Sequence, residues 1–579
     1  MKNHAASRFE VELIYDEIKA RRGEAPQSNA AHRESIRRRL ILCGAGLAVV
    51  FATLGLRTTQ LALDTPAPVY AAAPQVEVEG PARIEDATGR ALAVTLQGFG
   101  VAINGAEVWD PVEAARAVSS VLPETDTGEL EERLAAGQRV TLRRVISQAD
   151  RDAVVALGLP GVSFPETDVR AYPQGRLFSH VIGYQIPGRG GVTGLEAAMS
   201  SAERTGPQRT TLNIAAQTVL LSELVRVQTK FRAKAAWGVL MNAKTGDVAA
   251  MASLPDFDPN VPGASPAAAR RNRAVSDNYE LGSAFKALTV AMALDEGFVS
   301  LTTPVDVTSP LQVGDWSIED YSDKGSVLTV EEVLSYSSNI GTGQLALILG
   351  EERFVEAIGK FGLTERLETS LPETRAPALP QTWGPAELAT VSYGHGIAVS
   401  PLHLTASFAA LVNGGALITP RFLESDPVDR RQIISAATSR QMRQALRAVV
   451  TKGTGGKAEA PGYYVIGKTA TADKAGVGGY DDNGPLISSF IGAFPGYDPD
   501  WVLLVSLDEP QAVRETFGYA TAGWTAAPAF RRMVERLAPV LEIMPVGDDV
   551  ATDGFMSVLD ERADARGVMG FGSVDEETR

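Results

Sequence analysis

The sequence predicts an α+β protein in which helices flank an antiparallel sheet and a single N-terminal transmembrane helix precedes both. The sheet is predicted because strand patterns stand at both ends of the region 236–538, and long helical patterns lie between them. The transmembrane helix is predicted from one uncharged apolar run near the N-terminus. A chain of 579 residues, 45% hydrophobic and 21% charged, is long enough for two or three folded units.

The apolar run Leu40–Leu56 contains 17 residues without a charge and is bounded by arginines. About 20 residues cross the hydrocarbon of a bilayer, so this run is at the short end of the range. A buried core helix and a cleaved signal peptide are the alternatives. Thr53 is the only clearly polar residue, and a possible cleavage site at 71–73 lies well beyond the run. We therefore predict an uncleaved anchor over residues 40–57.

The charge distribution orients this anchor. Residues 1–39 carry nine basic and six acidic side chains, so the positive-inside rule predicts a cytoplasmic tail there and export of everything after the anchor. With the tail at +3, the total of −16 leaves −19 on the remainder, which argues against nucleic-acid binding. The only cysteine, Cys43, lies in the anchor, and the five histidines show no metal-ligand spacing. We predict no disulfide, metal or cofactor.

Composition divides the exported part into four segments. Residues 58–75 form a linker rich in proline and alanine. Residues 76–225 mix short strand-like and helical runs in an α+β region without evident chemistry, and residues 230–545 contain the predicted sheet. The last segment, 546–579, has nine acidic and three basic residues and is predicted to be disordered.

The sheet region opens with a hairpin at 236–253, where two apolar runs flank a turn that contains Asn242, Gly246 and Asp247. Helical periodicity then predicts helices at 283–296, 330–348, 351–361, 383–391 and 401–413. Strand patterns follow at 463–472, 487–494 and 501–507, with a last helix near 527–538.

Ser283 and Lys286 begin the first of these helices. Residues three apart share one face of a helix, so the amine can reach the hydroxyl. The neighbours of Lys286 are apolar, and desolvation favours the neutral amine that a general base requires. Ser283 stands at the helix N-terminus, where free N–H groups can stabilise an oxyanion. The alternative is a capping serine beside a lysine that extends to solvent.

Ser337 and Asn339 belong to the segment Tyr336–Ile340, which reads as a loop. In an acyl-transfer site the Ser337 hydroxyl would relay a proton between Lys286 and a leaving amine. The Asn339 amide would anchor Lys286 and bind the substrate backbone. An ordinary Ser/Asn turn is the alternative interpretation.

Lys468, Thr469 and Thr471 follow an apolar stretch and are predicted to lie on a strand. A fixed cation with two hydroxyls suits a substrate carboxylate, and a strand edge can pair with an extended peptide. The Thr471 N–H would be the second oxyanion donor. A serine three residues before a lysine, a later Ser-x-Asn and a late Lys-Thr together indicate a serine acyl-transfer site.

Two segments imitate known motifs. Lys244-Thr-Gly246 precedes the nucleophile and lies in the predicted hairpin turn, so we interpret it as a turn. Gly462–Thr469 matches the P-loop pattern of nucleotide-binding proteins. Its interior is Tyr-Tyr-Val-Ile and no helix pattern follows, so backbone N–H groups could not surround a phosphate. Nucleotide binding is not predicted.

In this order, with spacings of 54 and 131 residues, the three motifs resemble those of penicillin-binding transpeptidases. The space after the anchor is too short for the glycosyltransferase domain of class A members, which indicates class B. Ser337-Ser-Asn339 resembles the division-specific type, since the elongation type usually has aspartate at the third position. Further segments that resemble the family are Asp86–Ala93, Arg170–Pro173, His180–Gly183, Gly194–Glu196, Thr245–Asp247, Met251–Ser253, Asp258–Asn260, Tyr393–Gly396 and Ser400–Leu402.

The resemblance implies an elongated α+β pedestal of the dimerisation type below a transpeptidase domain that is similar to serine β-lactamases. It implies a peptidoglycan D,D-transpeptidase of cell division, single-pass in the bacterial inner membrane, with a periplasmic catalytic domain. Ser283 would attack D-Ala-D-Ala stem peptides, and β-lactams would acylate the same serine. Partners would be a lipid-linked-precursor glycosyltransferase and other division membrane proteins.

One departure from the family is Ala470, where the Lys-Thr-Gly motif has glycine and where a methyl group could narrow the cleft. Three rival interpretations share the fold: an elongation-type transpeptidase, a catalytically inactive division scaffold and a β-lactamase-like hydrolase. A class A hydrolase needs a deacylating glutamate between the second and third motifs. Glu368, Glu373 and Glu387 fall in that interval, and none stands in a recognisable context.

Overall fold

The computed structural model describes residues 37–55 except 40, 43 and 50, and then 81–143, 145–200, 206–280, 282–322, 324–474 and 484–547. The chain divides into two compact units, Met1–Glu79 and Gly80–Arg579. The predicted linker, residues 1–36 of the predicted cytoplasmic tail and the acidic tail from residue 548 lie outside the described residues.

In the first unit, Arg37–Gly55 forms one helix of 19 residues. It is long and apolar enough to cross a membrane, by length and composition. The helix coincides with most of the predicted anchor over residues 40–57.

The second unit contains all the described strands and the remaining helices. The strands are β1 Ile84–Glu85, β2 Ala91–Phe99, β3 Val101–Asn104, β4 Arg139–Arg143, β5 Val162–Ser163, β6 Glu166–Ala171, β7 Gln185–Ile186, β8 Gly190–Gly191, β9 Gln208–Arg209, β10 Ala235–Asn242, β11 Val248–Leu254, β12 Tyr279–Glu280, β13 Pro304–Asp306, β14 Leu311–Val313, β15 Trp316–Ile318, β16 Val327–Thr329, β17 Ala398–Val399, β18 Ala416–Ile418, β19 Arg430–Gln432, β20 Ile466–Asp473, β21 Leu486–Phe494 and β22 Trp501–Asp508. The α-helices are Pro111–Val121, Thr127–Ala135, Gln148–Ala156, Ser179–Ile182, Gly194–Ser200, Ile214–Phe231, Arg273–Ser276, Lys286–Asp295, Val330–Ser335, Asn339–Leu349, Glu351–Lys360, Pro385–Ser392, Pro401–Val412, Ala436–Thr451 and Ala526–Val540.

The central sheet has five strands in the order β11-β10-β22-β21-β20, and every neighbouring pair is antiparallel. β10 and β11 form the predicted hairpin, and β20, β21 and β22 coincide with the three predicted late strands. The predicted antiparallel sheet, closed by both ends of the domain, is therefore confirmed. β20 lies at one end of this order, so among the described strands only β21 pairs with it.

Helices cover both faces of this sheet. Ile214–Phe231 and Ala526–Val540 pack on one face, where Leu220, Leu224 and Phe530 share a buried apolar cluster with sheet residues. The opposite face contacts Lys286–Asp295, Pro401–Val412 and Ala436–Thr451 through a second cluster. Each fully buried leucine or phenylalanine contributes about 1.5–3 kcal/mol. The predicted pedestal limit at residue 225 falls within a helix that packs on the sheet, and the domain limits remain predictions.

The described part of the region 81–209 holds three small sheets, β6-β2-β1-β9, β4-β3-β5 and β7-β8. Arg170 on β6 donates to Glu196 at 2.7 Å in an ion pair whose side chains are 7% and 1% exposed. Gln185 also donates to Glu196, so the pair is satisfied by further hydrogen bonds, as a buried ion pair requires. Asn260 binds the backbone of Tyr172 at 2.9 and 3.1 Å and thereby fastens this region to the following one.

Candidate active site

The predicted nucleophile, Ser283, lies in a short 3₁₀ turn, Gly282–Ala284, that leads into the helix Lys286–Asp295. The predicted single helix over 283–296 thus begins with a tighter turn. Lys286 is 1% exposed, whereas Ser283 is partly exposed. A Cβ atom at Gly282 would lie 2.8 Å from the Thr471 backbone oxygen, so the turn sits directly against the edge of β20. Sequence positions 283 and 471 are therefore brought together.

Ser337 lies between the helices Val330–Ser335 and Asn339–Leu349. The break falls in the predicted loop Tyr336–Ile340, and it divides the helical pattern predicted over 330–348. Its φ is +63°, a left-handed conformation that costs a residue other than glycine about 1–3 kcal/mol. The Lys286 amine donates to the Ser337 backbone oxygen at 2.6 Å and to its hydroxyl oxygen at 3.2 Å. The strained residue therefore presents two oxygens to one lysine.

Lys468 approaches the same hydroxyl from β20. Its amine donates to Ser337 Oγ at 3.0 Å and to the Thr469 backbone oxygen at 3.1 Å. The Ser337 hydroxyl therefore lies between the two buried lysines, and the structure brings all three predicted motifs into one site.

Burial sets the charge of both lysines. Desolvation lowers the pKa of Lys286 well below 10.5, and the neighbouring Lys468 charge lowers it further, whereas Asp320 opposes the shift. Desolvation also lowers the pKa of Lys468, to about 7. Two amines that share one hydroxyl titrate as a pair, because protonation of one disfavours protonation of the other. The arrangement favours a neutral Lys286, which is the form that can accept a proton.

Asn339 occupies a different place from the one predicted. Its amide donates to the Glu319 backbone oxygen at 3.0 Å, while the hydrogen bonds of the Lys286 amine go to Ser337. In this structure Ser337 anchors the lysine, and Asn339 holds the preceding loop. The Asn339 side chain is partly exposed.

Asp320 is a site residue that sequence reasoning missed. Its carboxylate accepts hydrogen bonds from the Ser338 hydroxyl at 2.7 Å, from the Asn339 N–H and from the Ile340 N–H at 3.1 Å. These donors belong to the first turn of the helix Asn339–Leu349, where a carboxylate is stabilised by free N–H groups. Asp320 therefore fixes the second motif from outside it, 18 to 20 residues earlier in the chain.

Thr469 and Thr471 lie on β20 as predicted. The Thr471 hydroxyl accepts from the Ala522 N–H at 3.2 Å, so this side chain also ties the strand to the loop before the last helix. The Thr469 hydroxyl is 2.6 Å from that of Thr454. Ala470 is 2% exposed and belongs to the same apolar cluster as Ile466. Its methyl group therefore points into the core.

Replacing Ala470 by glycine should lower the free energy of unfolding by about 0.5–1 kcal/mol, because glycine in a strand has more conformational freedom to lose. Acylation by a penicillin should stay within about twofold of the native rate, since the methyl group is buried in the core. Denaturant unfolding and the labelling rate of the variant measure both effects. A large gain in labelling rate would show that the methyl group does obstruct the cleft.

Gly394 packs against the turn Gly282–Ala284, which contains the predicted nucleophile. Its φ is +86°, and a Cβ atom there would lie 2.2 Å from the Gly282 backbone oxygen. Replacing Gly394 by alanine should displace the turn and slow acylation by roughly tenfold or more, since both the clash and the left-handed backbone cost energy. Gly396 is the matched control: its φ is +78°, yet the nearest atom to an added Cβ is 3.9 Å away. Equal labelling rates for the two variants would contradict the expectation.

The two imitating segments are resolved as predicted. Lys244 lies in the β10–β11 turn and its amine binds Asp498 at 2.9 Å and Asp500 at 2.6 Å. The end of Gly462–Thr469 lies on β20, and the same strand continues to Asp473, so the residues directly after the Lys-Thr pair are extended. Lys244 therefore lies outside the candidate site, whereas Lys468 and Thr469 contribute to that site from a strand and lack the geometry of a phosphate-binding loop.

Glu373 bears on the hydrolase alternative. Its carboxylate accepts from the Gly194 N–H at 3.3 Å, and burial raises its pKa. The side chain thus faces the region 81–209, where it joins two parts of the second unit. Within the described residues, no group of three His, Cys, Asp and Glu side chains is arranged to hold a metal ion.

Comparisons with known proteins agree with this architecture. Residues 236–535 match the penicillin binding protein transpeptidase domain, and residues 82–200 match the penicillin-binding protein dimerisation domain. The chain is 35% identical over 482 residues to the probable peptidoglycan D,D-transpeptidase FtsI of Caulobacter vibrioides, covering 79% of this chain and 81% of that protein. It is 28% identical over 510 residues to the peptidoglycan D,D-transpeptidase FtsI of Escherichia coli K12, covering 81% and 85%.

A solved structure also matches: penicillin-binding protein 3 of Mycobacterium tuberculosis, complexed with aztreonam. The TM-score is 0.63 at 25% identity, over 81% of this chain and 97% of that one. Three findings agree. Both matched domains stand in the family's order, the three motifs meet around the Ser337 hydroxyl, and the relatives are matched over most of their length. The chain belongs to the class B penicillin-binding proteins.

Proposed function

We propose that this chain is a peptidoglycan D,D-transpeptidase that cross-links stem peptides through a Ser283 acyl-enzyme during septal wall synthesis. The observation that supports the proposal best is the Ser337 hydroxyl between Lys286 and Lys468, at 3.2 and 3.0 Å. This geometry connects a general base, a proton relay and a cation in a space that also adjoins the nucleophile turn.

The first half-reaction forms the acyl-enzyme. Neutral Lys286 accepts the proton of Ser283, and Ser283 Oγ attacks the carbonyl carbon of the penultimate D-Ala. The N–H groups of Ser283 and Thr471 stabilise the oxyanion. Ser337 passes a proton to the leaving amine, and the bond to the terminal D-Ala breaks. The Lys468 cation and the Thr469 hydroxyl hold the substrate's terminal carboxylate throughout.

The second half-reaction releases the product. The amine of a neighbouring stem peptide attacks the ester carbon, and the same groups act in the reverse order. The new amide joins two strands and frees Ser283. A β-lactam would react by the first half-reaction alone, with its ring nitrogen as the leaving group, which remains attached.

The proposed location is the bacterial inner membrane, with the helix Arg37–Gly55 as a single-pass anchor and the second unit in the periplasm. Partners in the proposal are a lipid-linked-precursor glycosyltransferase and other division membrane proteins. Depletion of the protein from cells tests the division role. If septation stops while the cells continue to grow, the division role is supported. Loss of elongation instead would support the elongation-type alternative.

Labelling with a fluorescent penicillin tests the proposed chemistry. The full chain, purified in detergent, should become labelled and keep the label on gels, and Ser283→Ala should remove all labelling. Ser300→Ala, at an exposed serine after the same helix, should label at the native rate. Rapid loss of label with hydrolysis of the drug would favour the hydrolase. If the native chain shows no labelling and also does not turn over a D-alanyl thioester, the inactive scaffold would be favoured.

A further inference from the structure

Thr454 contacts the third motif and the end of the helix just before the second motif, and it has no role in the proposed mechanism so far. It lies in the glycine-rich turn 453–456 after the helix Ala436–Thr451. Its backbone N–H donates to the Ser335 oxygen at 3.2 Å, two residues before Ser337. Its hydroxyl oxygen is 2.6 Å from that of Thr469 on β20. One residue thus links the helix end just before the second motif to the third motif.

The position of Thr454 is fixed by its neighbours. A Cβ atom at Gly453 would lie 2.2 Å from the Ser335 oxygen, so only glycine allows the turn to come this close. The Gly455 N–H donates to the Val449 oxygen at 2.9 Å and closes the turn on the preceding helix. Thr454 is exposed, whereas Thr469 is 7% exposed. The turn therefore places the hydroxyl of the exposed Thr454 against that of the buried Thr469.

The contact between the Thr454 and Thr469 hydroxyls determines which hydroxyl proton remains free to bind a carboxylate. A threonine has one proton to donate and two lone pairs to accept. If Thr469 donated to Thr454, its single proton would be unavailable to a carboxylate. If Thr454 donates, the Thr469 proton is free, and a chain of two hydroxyls ends on the carboxylate. Such chains are strengthened by mutual polarisation, and hydrogen bonds to a charged acceptor are the stronger ones.

We propose that Thr454 is a positioning residue for substrate carboxylate recognition: it donates to Thr469 and so directs the Thr469 proton toward the carboxylate. The inference rests on the proposed function, because the carboxylate is that of the terminal D-Ala or of a β-lactam. It assigns to Thr454 a part in specificity, while the groups that touch the reacting atoms stay those named above.

Two D-alanyl thioesters measure this role on the full chain: one that ends in a carboxylate and its analogue that ends in a carboxamide. Thr454→Val keeps the shape and removes the hydroxyl, and it should lower kcat/KM for the carboxylate thioester by about tenfold, mainly through KM. For the carboxamide the loss should stay within about twofold, because no charged acceptor is present. Thr454→Ser keeps a hydroxyl and should retain the native preference for the carboxylate.

Thr469→Val completes a double-mutant cycle. If Thr454 acts through Thr469, adding Thr454→Val to Thr469→Val should cause little further loss. If Thr454→Val lowers kcat/KM equally for both thioesters, the turn has only a structural role and the proposal is overturned. The proposal is also overturned if Thr454→Val keeps the native preference for the carboxylate thioester. Should Thr454→Val fail to melt cooperatively, Thr454→Ala takes its place in the same cycle.

The outcomes separate this inference from the proposed function. A native chain that is acylated, with Ser283→Ala inert, establishes the acyl-enzyme whatever Thr454 does. A native chain that turns over neither thioester overturns both. Native turnover with an unchanged Thr454→Val overturns the inference alone.

Discussion

Lys286→Met should lower the rate of acylation by a penicillin by roughly 10²- to 10⁴-fold, the range that a positioned general base contributes. Methionine fills the buried volume of the lysine stem and removes the only part of the side chain that can accept a proton. The measurement is the second-order rate constant for labelling of the full chain by a fluorescent penicillin.

Lys360→Met is the matched control, because this lysine is half-exposed and its amine pairs with Glu356 at 2.9 Å in another helix. It should label at the native rate. A Lys286→Met variant that labels within a few-fold of the native rate would mean that another group accepts the Ser283 proton, and the assignment of the base would be wrong.

The same rate constant should rise and then fall with pH. A protonated amine cannot accept a proton, so the rate is low below the pKa of Lys286 and rises as pH passes through it. Because burial and the Lys468 charge lower this pKa, the rise should come well below pH 10.5. The fall should follow as Lys468, with a pKa of about 7, loses the charge that attracts the carboxylate. A rate that only begins to rise near pH 10.5 would contradict the neutral-base mechanism.

The sequence alone located the three motifs, because each carries its chemistry in residues that stand close together in the chain. Ser283 and Lys286 are three apart where one helical pattern begins, and Lys468 and Thr469 are adjacent on one strand. The central sheet was also predictable, since its strands are long apolar runs. Local patterns were sufficient for both, and the antiparallel order followed from the position of the strands at the two ends of the domain.

Contacts between distant segments could not be predicted in this way. Asp320 and Thr454 lie outside every periodic pattern, and their hydrogen-bond partners stand between 15 and 119 residues away along the chain. The break at Ser337 was predicted as a loop over Tyr336–Ile340, but the left-handed backbone of Ser337 was not, because no glycine or other local signal marks it. The clustered glycines at 453–456 are the one local signal that could have drawn attention to Thr454.

Asp320→Ala should slow acylation by roughly ten- to a hundredfold and lower the melting temperature of the chain. The substitution leaves three donors, on Ser338, Asn339 and Ile340, without their carboxylate. Each hydrogen bond to a charged group contributes about 1.5–3 kcal/mol, and about 1.4 kcal/mol corresponds to tenfold in rate. Labelling rates and a thermal melt measure the two effects. Asp315→Asn, at an exposed carboxylate in the same region, should change neither.

Asp320→Asn separates the two ways in which this carboxylate can act. Asparagine keeps the shape and one acceptor oxygen, but it removes the charge that raises the pKa of Lys286 against burial. Without that charge the pKa of Lys286 falls further, so the ascending limb of the pH profile should move to lower pH even if the maximal rate declines. A loosened helix N-terminus would lower the rate at every pH and leave the limb in place. If the ascending limb of the pH profile does not move, Asp320 serves only to hold the second motif. If the limb moves to lower pH, the Asp320 charge also helps to set the pKa of Lys286.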